Sequence, residues 1–288
     1  MGFTSDQVKK AVRALKNIRP AYTTLLDFYE RIFEAQEESA GRIHIDPVTV
    51  SGELLAVKIK EKFPLINLDE FAIDAAAAED LFSRICRIAE EAGGDMSGSA
   101  KTIGIAVETG KLDPRSLFTG LLKEDDAIFE KIAGELEIDK KALAFITYNS
   151  MKPSLALCAE KLSTRLDKTG VWGKGYCPIC GSQPGLSMFE GEGERFLFCG
   201  FCWHKYPARR IYCPFCENMD AETLEYFYSE EEEEYRVDIC NKCKKYIKTI
   251  DTRKTDRIIY PPLEQVATLH LDIKAKETGL ESGLELGS

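Results

Sequence analysis

Four Cys-x-x-Cys pairs between residues 177 and 243 constrain this chain more than any other feature: Cys177 with Cys180, Cys199 with Cys202, Cys213 with Cys216, and Cys240 with Cys243. A two-residue spacer lets a tight turn bring both sulfurs to one side, where they take two corners of a tetrahedron. Two such knuckles complete a four-thiolate metal site. The first and third knuckles both read Cys-Pro-x-Cys, and each is followed by a strand, an acidic turn, a second strand and another knuckle. This internal repeat predicts consecutive pairing, with one site from Cys177, Cys180, Cys199 and Cys202 and the other from Cys213, Cys216, Cys240 and Cys243. Interleaved pairing is the alternative. The first gap, residues 181–198, lies within the ~15–20 residues usual for zinc sites. The second, 217–239, is longer by the glutamate run 230–234.

Tetrahedral tetrathiolate sites suit zinc and a single iron equally, so two metal ions of either kind are expected. Zinc would make them structural, because four protein ligands leave no position for a substrate; iron would permit one-electron transfer. Thiol–disulfide exchange is disfavoured, since it normally uses one low-pKa pair at a helix start in a βαβ setting. The other two cysteines, Cys86 and Cys158, sit among apolar residues on helical segments and read as buried thiols. His44 and His270 lack ligand spacing. His204, two residues after Cys202, is a neighbour of a site in which cysteines already fill every position.

The cysteines divide the chain near residue 170. Before it the pattern is helical. Thr4-Ser5-Asp6 can cap a helix carrying Val8, Val12 and Leu15, with Pro20 beyond its end. Leu25, Phe28, Tyr29, Ile32 and Phe33 recur at helical spacing. Asp74 before Ala75–Ala78, with Leu81, Ile85, Ile88 and Ala89 and then Gly93-Gly94, marks a capped helix with a glycine stop. Further helices are expected over 99–110, 114–122, 125–136 and 139–167, with Pro153 kinking or dividing the last. After Gly170, Arg195–Phe198 and Tyr235–Ile239 read as strands that run into knuckles, and the glutamate run reads as a solvated hairpin tip. The fold class is therefore α+β: an all-helical domain (1–170), two tandem small β-rich metal modules (171–210 and 211–260) and a C-terminal tail (261–288).

The net charge of −10 argues against a general nucleic-acid binder, whose affinity comes from Lys and Arg on phosphates. Residues 171–260 hold 13 basic against 15 acidic side chains, and each thiolate-bound divalent ion adds a further formal −2. No stretch reaches the ~18 apolar residues of a membrane span, and the N-terminus lacks the pattern of a secretory signal. A cytoplasmic protein with reduced thiols is expected.

At this point the motifs resemble a known family. Cys177-Pro178-Ile179-Cys180-Gly181-Ser182-Gln183-Pro184, Arg195-Phe196-Leu197-Phe198 leading into Cys199–Cys202, Arg210 before Cys213, and Cys240-Asn241-Lys242-Cys243-Lys244-Lys245-Tyr246-Ile247-Lys248 are similar in order and spacing to the formate dehydrogenase accessory family, FdhE. The likeness covers about residues 172–251. It implies a helical domain joined to two rubredoxin-like or zinc-ribbon-like modules, and a cytoplasmic assembly factor, not an enzyme, that binds the catalytic subunit of formate dehydrogenase. It also implies that the eight cysteines are metal ligands and that Tyr206, Arg210, Tyr246 and Lys248 flank the knuckles as client contacts or packing. One departure is visible: many members carry Trp four residues after the second knuckle, where this chain has Tyr206, with its Trp203 directly after Cys202. A homodimer is left open. Two alternatives remain from the residues themselves: a nucleic-acid-binding zinc ribbon, suggested by Lys242, Lys244, Lys245 and Lys248, and rubredoxin-like electron transfer.

Overall fold

The structure, a computed structural model, describes residues 4–46, 48–166, 170–228 and 232–284. Eight helices come first: α1 (Ser5–Ile18), α2 (Thr23–Ala40), α3 (Gly52–Glu61), α4 (Ala75–Ala92), α5 (Asp95–Glu108), α6 (Pro114–Leu122), α7 (Asp126–Leu136) and α8 (Lys140–Ser163). Six strands follow: β1 (Pro184–Glu190), β2 (Glu194–Cys199), β3 (Lys205–Ala208), β4 (Leu224–Tyr228), β5 (Tyr235–Cys240) and β6 (Lys245–Asp251). Helices α9 (Pro261–Ala267) and α10 (Leu269–Glu277) and a short β7 (Glu281–Ser282) complete the described chain. The architecture is α+β, as the patterning implies. It divides into two compact units, Met1–Thr49 with Asn67–Lys161, and Val50–Ile66 with Leu162–Ser288.

The helical unit follows its local signals. Thr4 accepts the Gln7 N–H and Gln7 reaches back to the Thr4 N–H, closing a capping box on α1. Val8, Ala11, Val12 and Leu15 form its buried face. On α2, Leu26, Ile32 and Phe33 are fully buried, while Leu25, Phe28 and Tyr29 are half-buried. Asp74 Oδ1 accepts the Ala77 N–H at 3.0 Å to start α4, and Gly93 ends it at φ 72°. Pro153 does not divide α8. Proline has no N–H to donate to the carbonyl four residues back, and that carbonyl, on Asn149, instead accepts the buried Gln36 side-chain N–H at 2.8 Å. A side chain from α2 thus replaces the missing helical bond. Residue 167, the expected end of this helix, lies outside the described residues, as do 229–231 in the expected glutamate hairpin tip.

In the second unit the two repeats share one sheet in the order β3-β2-β1-β6-β5-β4. Within each repeat the strands are antiparallel, and the repeats join where β1 pairs parallel with β6, Ser187 opposite Thr249. Residues 261–284 are built into this unit: β7 pairs with the start of β6, and Leu271 and Ala275 of α10 pack on a core of Leu186, Met188, Phe198, Trp203, Tyr235, Val237, Tyr246 and Ile250. Residues 50–66 belong here too. The Leu65 and Ile66 N–H groups donate to the Pro178 and Ile179 carbonyls at 3.0 and 2.9 Å, inside the first knuckle.

Candidate metal centres

All four knuckles are made by the same backbone turn. The residue just after each second cysteine, Gly181, Trp203, Glu217 and Lys244, lies in the left-handed region at φ 79°, 59°, 58° and 60°. Its N–H donates back to the carbonyl of the first cysteine at 2.8–3.2 Å. Only the first of these positions is glycine, and there a Cβ would come within 3.0 Å of Pro64. The other three pay the left-handed strain of about 1–2 kcal/mol each. What the turn delivers is a polar cradle for sulfur. Cys177 Sγ accepts the Ile179 N–H, and Cys199 Sγ accepts those of Phe201 and Cys202, each at 3.4 Å. Cys213 and Cys240 receive backbone N–H groups from the equivalent positions.

The structure gathers Cys177, Cys180, Cys199 and Cys202 into one cluster and Cys213, Cys216, Cys240 and Cys243 into another, with all sulfurs of a cluster within 4.8 Å of one another. The consecutive arrangement is the one present. Close S···S separations are 3.5–3.7 Å in the first quartet and 3.6–3.7 Å in the second. Disulfide sulfurs would be ~2.05 Å apart, whereas a tetrahedron with M–S bonds of ~2.3 Å has edges of about 3.8 Å. The donor set and spacing therefore fit a tetrahedral metal ion in each cluster. Burial pushes the Cys177 and Cys202 thiols well up, while hydrogen bonds from Cys177, Cys199 and Cys202 pull Cys180 down.

The two sites differ in exposure. Every cysteine of the first is buried, but Cys216 and Cys243 of the second are half-exposed. Asn218 adds a side-chain N–H to Cys240 Sγ at 3.7 Å. Between the sites stands Arg195, 4% exposed on β2. It donates from Nε to Ser187 Oγ at 2.9 Å, from one Nη to the Tyr212 carbonyl at 2.7 Å, and from the other to Asp238 at 3.1 Å. Its strand ends on Cys199, and its partners immediately precede Cys213 and approach Cys240. Sequence reading noted Arg195 only as part of a motif; nothing local shows that it spans two knuckles.

Of the flanking residues, Tyr206 is buried and donates to the Gly175 carbonyl at 2.9 Å. Tyr246 and Lys248 are buried and bind Asp272 of α10 at 2.9 and 2.6 Å. Arg210 alone of the four is exposed. His204 stands outside both quartets, stacked on Tyr206, with burial lowering it to about 4. His44 contacts the Arg42 carbonyl, and His270 contacts Glu232. Cys86 and Cys158 are buried thiols, burial pushing Cys86 up to about 12. No helix among the described residues is long and apolar enough to cross a membrane.

Comparison with known proteins converges on these two sites. Residues 176–210 match the FdhE central domain and residues 211–284 the FdhE C-terminal domain. An FdhE homologue of Aquifex aeolicus is 36% identical over 162 residues, 54% of this chain and 56% of that protein. FdhE of Escherichia coli is 31% identical over 108 residues, 36% of this chain and 34% of that protein. The chain thus aligns with about half, or less, of the length of these curated relatives. The crystal structure of FdhE from Pseudomonas aeruginosa shares the fold with a TM-score of 0.70 at 18% identity, covering 100% of this chain and 99% of that one. Each tetracysteine cluster falls inside one matched domain, and residues 176–284 carry the FdhE central and C-terminal domains.

Proposed function

We propose that this protein is a cytoplasmic accessory factor that binds the catalytic subunit of formate dehydrogenase during its maturation, and is not itself an enzyme. The observation that carries the reading is the pair of four-cysteine clusters, one in each FdhE domain, fused into a single sheet. Four cysteines per ion leave no open coordination position for a substrate. The eight cysteines would hold two metal ions, zinc or iron, which supply rigidity to the knuckles and, if iron, one-electron chemistry. The protein's own residues do the rest: backbone N–H groups hold the sulfurs, and Arg195 fixes the third knuckle against the first repeat.

The nucleic-acid reading loses its main support. Lys248 is buried against Asp272, so Lys242, Lys244, Lys245 and Lys248 do not form one basic face. Affinity capture from the host tests the proposal, using the tagged protein with and without the Cys213, Cys216, Cys240 and Cys243 quartet. A formate dehydrogenase catalytic subunit recovered only with intact cysteines supports it. Failure to recover that subunit with the intact, metal-replete protein would sink it.

A further inference from the structure

Phe189, at the end of β1, is ringed by arginines. The guanidinium carbons of Arg236, Arg253, Arg210 and Arg195 lie 4.5, 5.8, 5.9 and 6.0 Å from its ring centroid. Two carboxylates serve these four cations. Asp238 takes Arg195 and Arg236, and Asp251 takes Arg253 through Nε and Nη2. Arg253 Nη1 is left over, and Arg210 has no carboxylate partner among the described residues. In the adjoining turn Glu190 pairs with Lys205, Glu194 accepts the Glu192 N–H, and Glu192 itself is exposed.

The two unused Nη1 groups converge. A Cβ built on Gly193 would lie 3.0 Å from Arg210 Nη1 and 3.0 Å from Arg253 Nη1, and its φ of 110° keeps that position glycine. The two donors are therefore within ~6 Å of each other, a span that oxyanion oxygens bridge with N–H···O bonds of about 2.8 Å. Arg210 also borders a cleft of 260 Å³ beside the second quartet, shared with Arg236 and walled by Tyr212, Phe215, Tyr226 and Ile239. Two guanidinium groups with unused Nη1 donors thus adjoin an apolar-walled cleft.

We propose that this is a binding site for a phosphate-bearing small molecule, with phosphoryl oxygens between Arg210 and Arg253 and the organic part in the cleft. Two convergent guanidinium groups suit a phosphoryl group, whose oxygens their planar forks match. Arg236, its guanidinium carbon 4.7 Å from the Tyr226 ring centroid, holds that ring in place as a wall of the cleft.

The test is calorimetric titration of metal-replete protein at low salt with inorganic pyrophosphate, phenyl phosphate and, separately, hexaglutamate. Pyrophosphate is expected to bind saturably at one per chain. Arg210→Ala and Arg253→Ala should each weaken it at least tenfold, and Lys131→Ala, on the exposed surface of α7, should leave it unchanged. Phenyl phosphate binding should fall further in Tyr226→Ala than pyrophosphate binding does, which separates an organic phosphate from the free ion. Arg210 is exposed, so its variant keeps its metal and its melting temperature. The proposal is overturned by absence of saturable binding of both phosphates, by binding unchanged in both arginine variants, or by binding of hexaglutamate alone.

Discussion

Replacing Arg195 by Met should loosen the second metal site while sparing the first. The side chain is 3% exposed and makes three donor contacts within one small region. Removing one member of a buried ion pair typically costs about 3–5 kcal/mol because the other charge is left uncompensated. Asp238 is not wholly abandoned, since Arg236 Nε stays 2.8 Å away and Thr249 Oγ1 still donates at 2.6 Å. That places the cost near the lower bound, about 3 kcal/mol, with the Ser187 and Tyr212 acceptors also orphaned. Metal binding and local folding are linked, so the same free energy appears as a loss of about 100-fold in apparent metal affinity. The loss should concentrate at Cys213, Cys216, Cys240 and Cys243, because the Tyr212 carbonyl adjoins the third knuckle while Cys199 is held by its own strand pairing. The assay is competition of zinc-loaded protein with a colorimetric chelator. Wild type should retain two ions at chelator concentrations where the variant keeps one. Two ions held with an unchanged release curve, or equal loss from both sites, would refute the reasoning that Arg195 is the tie.

Other consequences can be measured independently. In the wild type, chelator should strip the second quartet first, since Cys216 and Cys243 are half-exposed while the first quartet is buried; simultaneous release would contradict this. Lys244→Gly should raise the melting temperature by relieving left-handed strain, a gain of about 0.5–1 kcal/mol, whereas Gly181→Ala should lower it. Lys152 is 8% exposed beneath Phe33, and burial lowers it from 10.5 to about 7. The unfolded chain then binds more protons between about pH 7 and 10.5, so this group makes stability rise with pH across that window. Lys152→Met should stabilise the helical unit by about 1–3 kcal/mol at pH 7 and flatten that rise; a melting temperature equal to wild type at both ends of the window would count against it.

What could be read in advance follows from which signals are local. The four cysteine pairs and the Cys-Pro-x-Cys repeat gave both quartets, because a tetrathiolate site needs two turns and each turn is written in four residues. Thr4, Asp74 and Gly93 marked helix ends for the same reason. Long-range pairings left no such mark. Nothing about Leu65 and Ile66 shows that their N–H groups meet the Pro178 and Ile179 carbonyls. The left-handed residues Trp203, Glu217 and Lys244 were illegible because strain, unlike glycine, has no letter. Whether Tyr246 and Lys248 are contacts or packing is not legible, because the alternation of a strand does not say that α10, some twenty residues downstream, supplies Asp272 to cover them. The same distance hid the C-terminal segment, whose apolar residues pack only once a sheet exists to receive them.

The joint between the repeats also dictates an order of events during synthesis. The first repeat holds every ligand of its own site, so it can close around a metal as soon as Cys202 is available. Its strand β1 then presents Ser187, Met188 and Phe189 as a bare edge, because their partners Thr249, Ile250 and Asp251 come about sixty residues later. An unpaired edge is a template for the wrong partner. The last strand of the second repeat is therefore the latch of the first, and a chain truncated between Cys202 and Thr249 would be metal-competent yet prone to stick to its neighbours.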